Sequence, residues 1–104
     1  DNYYAINNLA ISLKAVEKYK SSGKTYQKCL KIKPDYVVAI INYANLKELL
    51  NKFQEAIDLY LSALKFKSET SEAYIHSKLS RLYLSIGKNK ILFTEIPKYL
   101  ESIH

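Results

Sequence analysis

Displacing the chain against itself by 34 residues brings like residues into register, and this constrains the fold more than any other feature. Ile6 falls on Ile40, Asn8 on Asn42 and Ala10 on Ala44. Tyr19 falls on Phe53, Tyr26 on Tyr60 and Leu30 on Leu64. A period of this length marks a stacked array, in which each unit covers the apolar face of its neighbour. A third copy follows at an offset of 36, which aligns Tyr43 with Leu79, Ala44 with Ser80 and Leu64 with Leu100.

Within each copy, apolar residues recur at spacings of three and four, the period of an amphipathic helix. The pattern predicts helices over 4–20, 36–50 and 71–86, each followed by a second over 24–33, 53–67 and about 90–102. Ser21-Ser22-Gly23, Asn51 and Gly87 are the expected turns within the pairs. Between pairs, Pro34 stops one helix, Asp35 is expected to cap the next, and Ser68 to Ser71 offers comparable chemistry. Two glycines and two prolines in 104 residues are too few for an all-β chain with many tight turns. The expectation is an all-α array of about six helices in antiparallel pairs. It is read as one domain with repeats at about 3–36, 37–70 and 73–104. Residue 1 is not methionine, and the chain is read as a segment of a longer protein.

The repeat resembles the tetratricopeptide family. Its pattern is carried by Ile6, Leu9, Ala10 and Leu13, then Ser22, Tyr26 and Pro34. The second copy has Ile40, Tyr43, Ala44 and Lys47, then Ala56, Tyr60 and Ser68. The third has His76, Leu79, Ser80 and Tyr83, then Leu92 and Ile96. Ala10, Ala44 and Ser80 let paired helices approach, as do Cys29, Ala56 and Ala63 from the second helices. The departures are Ser22 for alanine, beside Gly23, which implies a late start of the second helix; Lys47 for an aromatic; and Pro97 in the third copy. The resemblance implies a right-handed α-solenoid and a protein–protein interaction module. Such arrays serve many processes, so it does not name a partner.

By the same resemblance, first helices line a concave groove. Here that surface includes Tyr4, Asn7, Asn8, Ile11 and Lys14, then Val38, Ile41, Asn42, Asn45 and Glu48. Tyr74, Ser77, Lys78, Arg81 and Ser85 complete it. Asn8 and Asn42 stand one repeat apart, and an asparagine amide can pair with the backbone of an extended peptide. Lys14, Lys78 and Arg81 are candidate carboxylate ligands. Family members that hold chaperone C-terminal tails use a fixed clamp of Lys, Asn and Arg. Asn42 and, in part, Lys78 match it, but Asn7, Ile11 and Tyr74 do not, so chaperone tails are not expected partners. Of ten tyrosines, Tyr19, Tyr26, Tyr43, Tyr60 and Tyr83 fall on core positions, while Tyr4 and Tyr74 are surface candidates.

The net charge is +6, and residues 14 to 33 account for it, with seven lysines against Glu17 alone. A basic convex patch of Lys24, Lys28 and Lys31 is expected, able to attract acidic peptides, nucleic acid or headgroups. The plainer reading is a solvated face enriched in lysine by an A+T-rich genome. An RNA-binding array of pentatricopeptide type is the rival class, supported by the positive charge. The 34-residue offset and the Ala/aromatic/Ala spacing favour the tetratricopeptide reading. A third reading is architectural, with Ile91, Leu92, Phe93, Ile96 and Leu100 leaving an open end through which copies could associate.

Catalysis finds no support. His76 falls on a packing position and His104 at the last residue, with no phosphate-binding glycine loop and no nucleophile–base set. The one cysteine, Cys29, has no partner for a disulfide, and metal-ligand spacing is absent, so no cofactor is expected. Together with the lack of an apolar run near 18 residues, this predicts an intracellular, cytoplasmic setting without membrane insertion.

Overall fold

The computed structural model describes residues 2–66 and 69–89. They form five helices: α1 (Tyr3–Ala15), α2 (Tyr19–Ile32), α3 (Val37–Leu49), α4 (Phe53–Ala63) and α5 (Glu69–Asn89). The chain is all-helical among the described residues, as the periodicity predicts. The sixth expected helix, over 90–102, lies outside them, and with it Ile91, Leu92, Phe93, Ile96 and Leu100.

The turns inside the two helix pairs are built alike. Glu17 has φ 62° and Asn51 has φ 60°, and they stand one 34-residue period apart. The Glu17 N–H donates to Lys14 O and the Lys18 N–H to Leu13 O, both at 2.9 Å. Asn51 and Lys52 repeat this on Glu48 O and Lys47 O, again at 2.9 Å. This is a Schellman closure, in which a left-handed residue lets two amides satisfy the last carbonyls of the helix.

The first turn therefore falls at Glu17, not at Ser21-Ser22-Gly23, and α2 begins early rather than late. Gly23 is helical, and Ser22 is fully buried, its hydroxyl donating to Ala10 O at 2.7 Å. The serine thus fills the small-residue position while pairing its own polar group. Gly87 likewise lies inside α5, and no described glycine has positive φ. Asp35 does not cap α3: the N-cap is Tyr36 without a side-chain bond, and Asp35 pairs with Lys33 at 3.3 Å. Asn2 does cap α1, accepting from the Ala5 N–H at 3.1 Å.

The core follows the small-residue pattern. Ala10, Cys29, Ala44, Ala56 and Ala63 are all buried where paired helices cross, because side chains this small allow close backbone approach. Tyr26 and Tyr43 stack with centroids 5.5 Å apart and join α2 to α3. Ile40, Ile57 and Tyr60 pack with Ile75, Leu79 and Leu82 and so join the second pair to α5. The buried Ile75, Leu79 and Leu82 stand 36 positions after the buried Ala39, Tyr43 and Leu46.

Candidate functional site

Helices α1, α3 and α5 are tied side by side by polar contacts on one face. Between α1 and α3, the Asn42 amide nitrogen donates to Asn7 Oδ1 at 3.3 Å. Asn7 is only 3% exposed. A buried amide must find a partner or lose its hydration, so this pair is internal glue between helices. Asn8, next to it, points to solvent and Asn42 is half-buried. The two asparagines one repeat apart are therefore unlike: one is free at the surface, and the other is engaged with Asn7.

Between α3 and α5 the hub is Glu48. Its carboxylate accepts from the Tyr60 hydroxyl at 2.7 Å and stands 3.3 Å from Lys78 Nζ. Tyr60 is fully buried, and its oxygen also lies 2.5 Å from the Asn45 amide. Burial first, then the bond to the Glu48 carboxylate, pushes the Tyr60 phenol far above its ordinary value, so it stays a donor. The Tyr74 hydroxyl donates to Asn45 Oδ1 at 3.3 Å, and Lys78 Nζ sits 5.6 Å from the Tyr74 ring centre. Lys78 is thus half-buried and paired within the chain, not held ready for a ligand carboxylate. Glu48 was placed on the groove by register. What register did not reveal is that it consumes Lys78; the available signal was the exchange of Lys14 for Glu48 at one repeat position.

The same three helices carry an exposed apolar row by register. Tyr4, Val38 and Tyr74 are 62%, 50% and 42% exposed, and they occupy equivalent positions on α1, α3 and α5, at offsets of 34 and 36. Tyr4 is anchored in a cluster with Tyr3 and Tyr36, at centroid distances of 5.6 and 5.9 Å. Arg81 is exposed and Lys14 and Asn45 are half-buried on the same three helices. Lys24, Lys28 and Lys31 are exposed along α2, apart from this row. No group of three or more metal-ligating side chains occurs among the described residues. No described helix is long and apolar enough to cross a membrane.

Stacked helix pairs with small residues at their crossings and Schellman turns one period apart define an α-solenoid of the tetratricopeptide type. The structure of a mutant of MamA, a helical repeat protein of that type, matches with a TM-score of 0.70 at 23% identity, over 84% of this chain and 62% of that one. In sequence, the chain is 35% identical over 86 residues to the uncharacterized protein ycf37 of Cyanophora paradoxa. The alignment covers 83% of this chain and 46% of ycf37, so the chain spans about half the length of that relative. No family model matches the chain.

Proposed function

We propose that the chain is a non-catalytic interaction module that receives an extended or helical segment of a protein partner across α1, α3 and α5. The observation that carries this reading is the row Tyr4, Val38 and Tyr74. Exposed aromatic and apolar side chains repeated at one register give a partner one anchor per helix, while the polar pairs between these helices hold them together. Asn8 and Arg81 supply free polar groups beside the row. The test is a salt-titrated comparison of a peptide array with a single-stranded RNA pool. Peptide binding that falls about tenfold in Tyr4→Ala and Tyr74→Ala, with little salt dependence, supports the module. RNA binding with a steep salt slope, insensitive to those changes and lost with Lys28 and Lys31, replaces it with the nucleic-acid reading.

A second reading rests on a different face. On α1, Leu9 and Val16 are exposed, whereas Tyr43, the equivalent of Leu9 on α3, is buried beneath α2. Packing of this face against another helix, including one from a second copy, is the architectural alternative. Sedimentation that changes with concentration, and ceases to do so in Leu9→Lys, supports it; a monomer at all concentrations removes it.

A further inference from the structure

A cleft of about 240 Å³ opens between α2 and α3, on a different part of the molecule from the apolar row. Its walls include Tyr19, Gly23, Tyr43 and Leu46. The reason it is open is legible in the repeat. Gly23 is the register equivalent of Ile57, which is fully buried and plugs the junction between α4 and α5. At Gly23 no side chain plugs the corresponding junction. A Cβ there would meet Leu46 Cδ2 at 3.7 Å and Tyr43 Cε1 at 3.8 Å, so the space borders on ring and leucine without a clash.

Four lysines line the same cleft: Lys20, Lys24, Lys47 and Lys52. Lys47 is neutralised by Glu55 at 2.7 Å and held 5.2 Å from the Tyr43 ring centre. Among the described residues, Lys20 and Lys24 take part in no ion pair, while Lys52, without a direct contact, helps Lys47 hold the Glu55 carboxyl below its ordinary value. Lys20 and Lys24 are one helical turn apart on one face of α2. Helix α2 begins here with no acidic residue in its first turn and an N-cap, Lys18, that makes no side-chain cap bond, so its positive dipole end adds to the same field. Glu55 in the first turn of α4 offsets the end of that helix. The feature is not a by-product of the repeat. At the next junction Lys20 and Lys24 become Gln54 and Asp58, and Lys47 becomes Tyr83.

We propose that this cleft is a binding site for a phosphomonoester carried on an apolar or aromatic body. Two uncommitted ammonium groups, Lys20 and Lys24, with Lys52 shared with Glu55, suit a compact dianion with three acceptor oxygens, whereas a lone carboxylate is better matched by the arginine fork that this cleft lacks. The Tyr43 ring, Leu46 and the bare backbone at Gly23 accept the body. Gln27 holds the Tyr43 ring in place, its amide nitrogen donating to the Tyr43 hydroxyl at 2.9 Å. The same chemistry arrives either as a phosphorylated side chain of a protein segment or as a free aryl phosphate.

The test is amide NMR titration of the 104-residue chain with phenyl phosphate, inorganic phosphate and a phosphotyrosine peptide. With only two glycines, Gly23 and Gly87, the reporter inside the cleft and a control outside it are readily resolved. Saturable shifts at Gly23 but not Gly87 are expected, with phenyl phosphate bound more tightly than inorganic phosphate. Lys20→Gln with Lys24→Gln weakens binding by at least about tenfold, and Gly23→Ile, which imitates the next repeat, abolishes it while helicity is retained. A peptide bound far more tightly than phenyl phosphate identifies a protein source, and equal affinity a small-molecule source; either outcome upholds the site. Binding undiminished in both variants overturns the proposal. So do shifts that spread to Lys28 and Lys31 and vanish at about 0.15 M salt, which mark a diffuse cationic face. Should Gly23→Ile fail to fold, the double lysine variant decides alone.

Discussion

Tyr60 donates its hydroxyl to Glu48 across 2.7 Å, from the second helix of one pair to the first. The phenol is fully buried and the carboxylate also holds Lys78 of α5, so one acidic side chain links three helices. Tyr60→Phe keeps the ring packing and removes the bond. Hydrogen bonds to charged groups contribute about 1.5–3 kcal/mol, so urea unfolding of the variant should show a loss of about 2 kcal/mol. A loss below about 0.5 kcal/mol would mean that water replaces the hydroxyl at Glu48.

Asn42→Ala should act on stability before it acts on any ligand. It strands Asn7, whose amide is buried and accepts from Asn42. Leaving a buried polar group unmatched costs about 1–3 kcal/mol. Converting Asn7 to leucine in the same chain should recover most of that loss, because the orphaned amide is then gone. A thermodynamic cycle over the two single variants and the double variant measures the coupling. Purely additive effects would show that the two amides act independently.

Glu17→Gly should stabilise the protein by about 1 kcal/mol, the usual cost of a left-handed conformation for a residue with a Cβ. Asn51→Gly should gain less, since asparagine tolerates this region better. The order of the two chemical-denaturation midpoints checks the argument, and a destabilised Glu17→Gly would refute it.

Alkaline stability follows from the buried tyrosines. Burial, with a smaller contribution from Cys29, pushes Tyr26 from 10.0 up to about 12. Tyr60 is raised in the same direction. A folded-state value above the unfolded one means that the native protein holds protons which the unfolded chain releases. The stability associated with Tyr26 is complete below pH 10 and is lost as pH rises from about 10 to about 12, and that associated with Tyr60 goes on falling above this window. Phenolate absorbance and helicity followed together should show the last tyrosines ionising as the helices melt. Ionisation of all ten tyrosines with helicity intact would contradict it.

The 34-residue period, the helix pairs and the core were legible in the sequence. Spacings of three and four and recurring small residues are local patterns, and Ala10, Cys29, Ala44, Ala56 and Ala63 have only one use in a stacked array. The core placement of Tyr26, Tyr43 and Tyr60 and the exposure of Tyr4 and Tyr74 were also readable, since register assigns a face. Even the turn at Glu17 was implied by Asn51 one period later, but the serines and Gly23 offered a stronger local signal in the wrong place. Tertiary structure decided the rest. Gly23 is helical because the closure on Leu13 and Lys14 ends α1 earlier, and its missing side chain then opens a cleft instead of a turn. Asn7 is bound by Asn42, and Lys78 by Glu48, because stacking brings α1, α3 and α5 within hydrogen-bond reach. Such pairings depend on distances between residues some thirty positions apart, which no local pattern encodes.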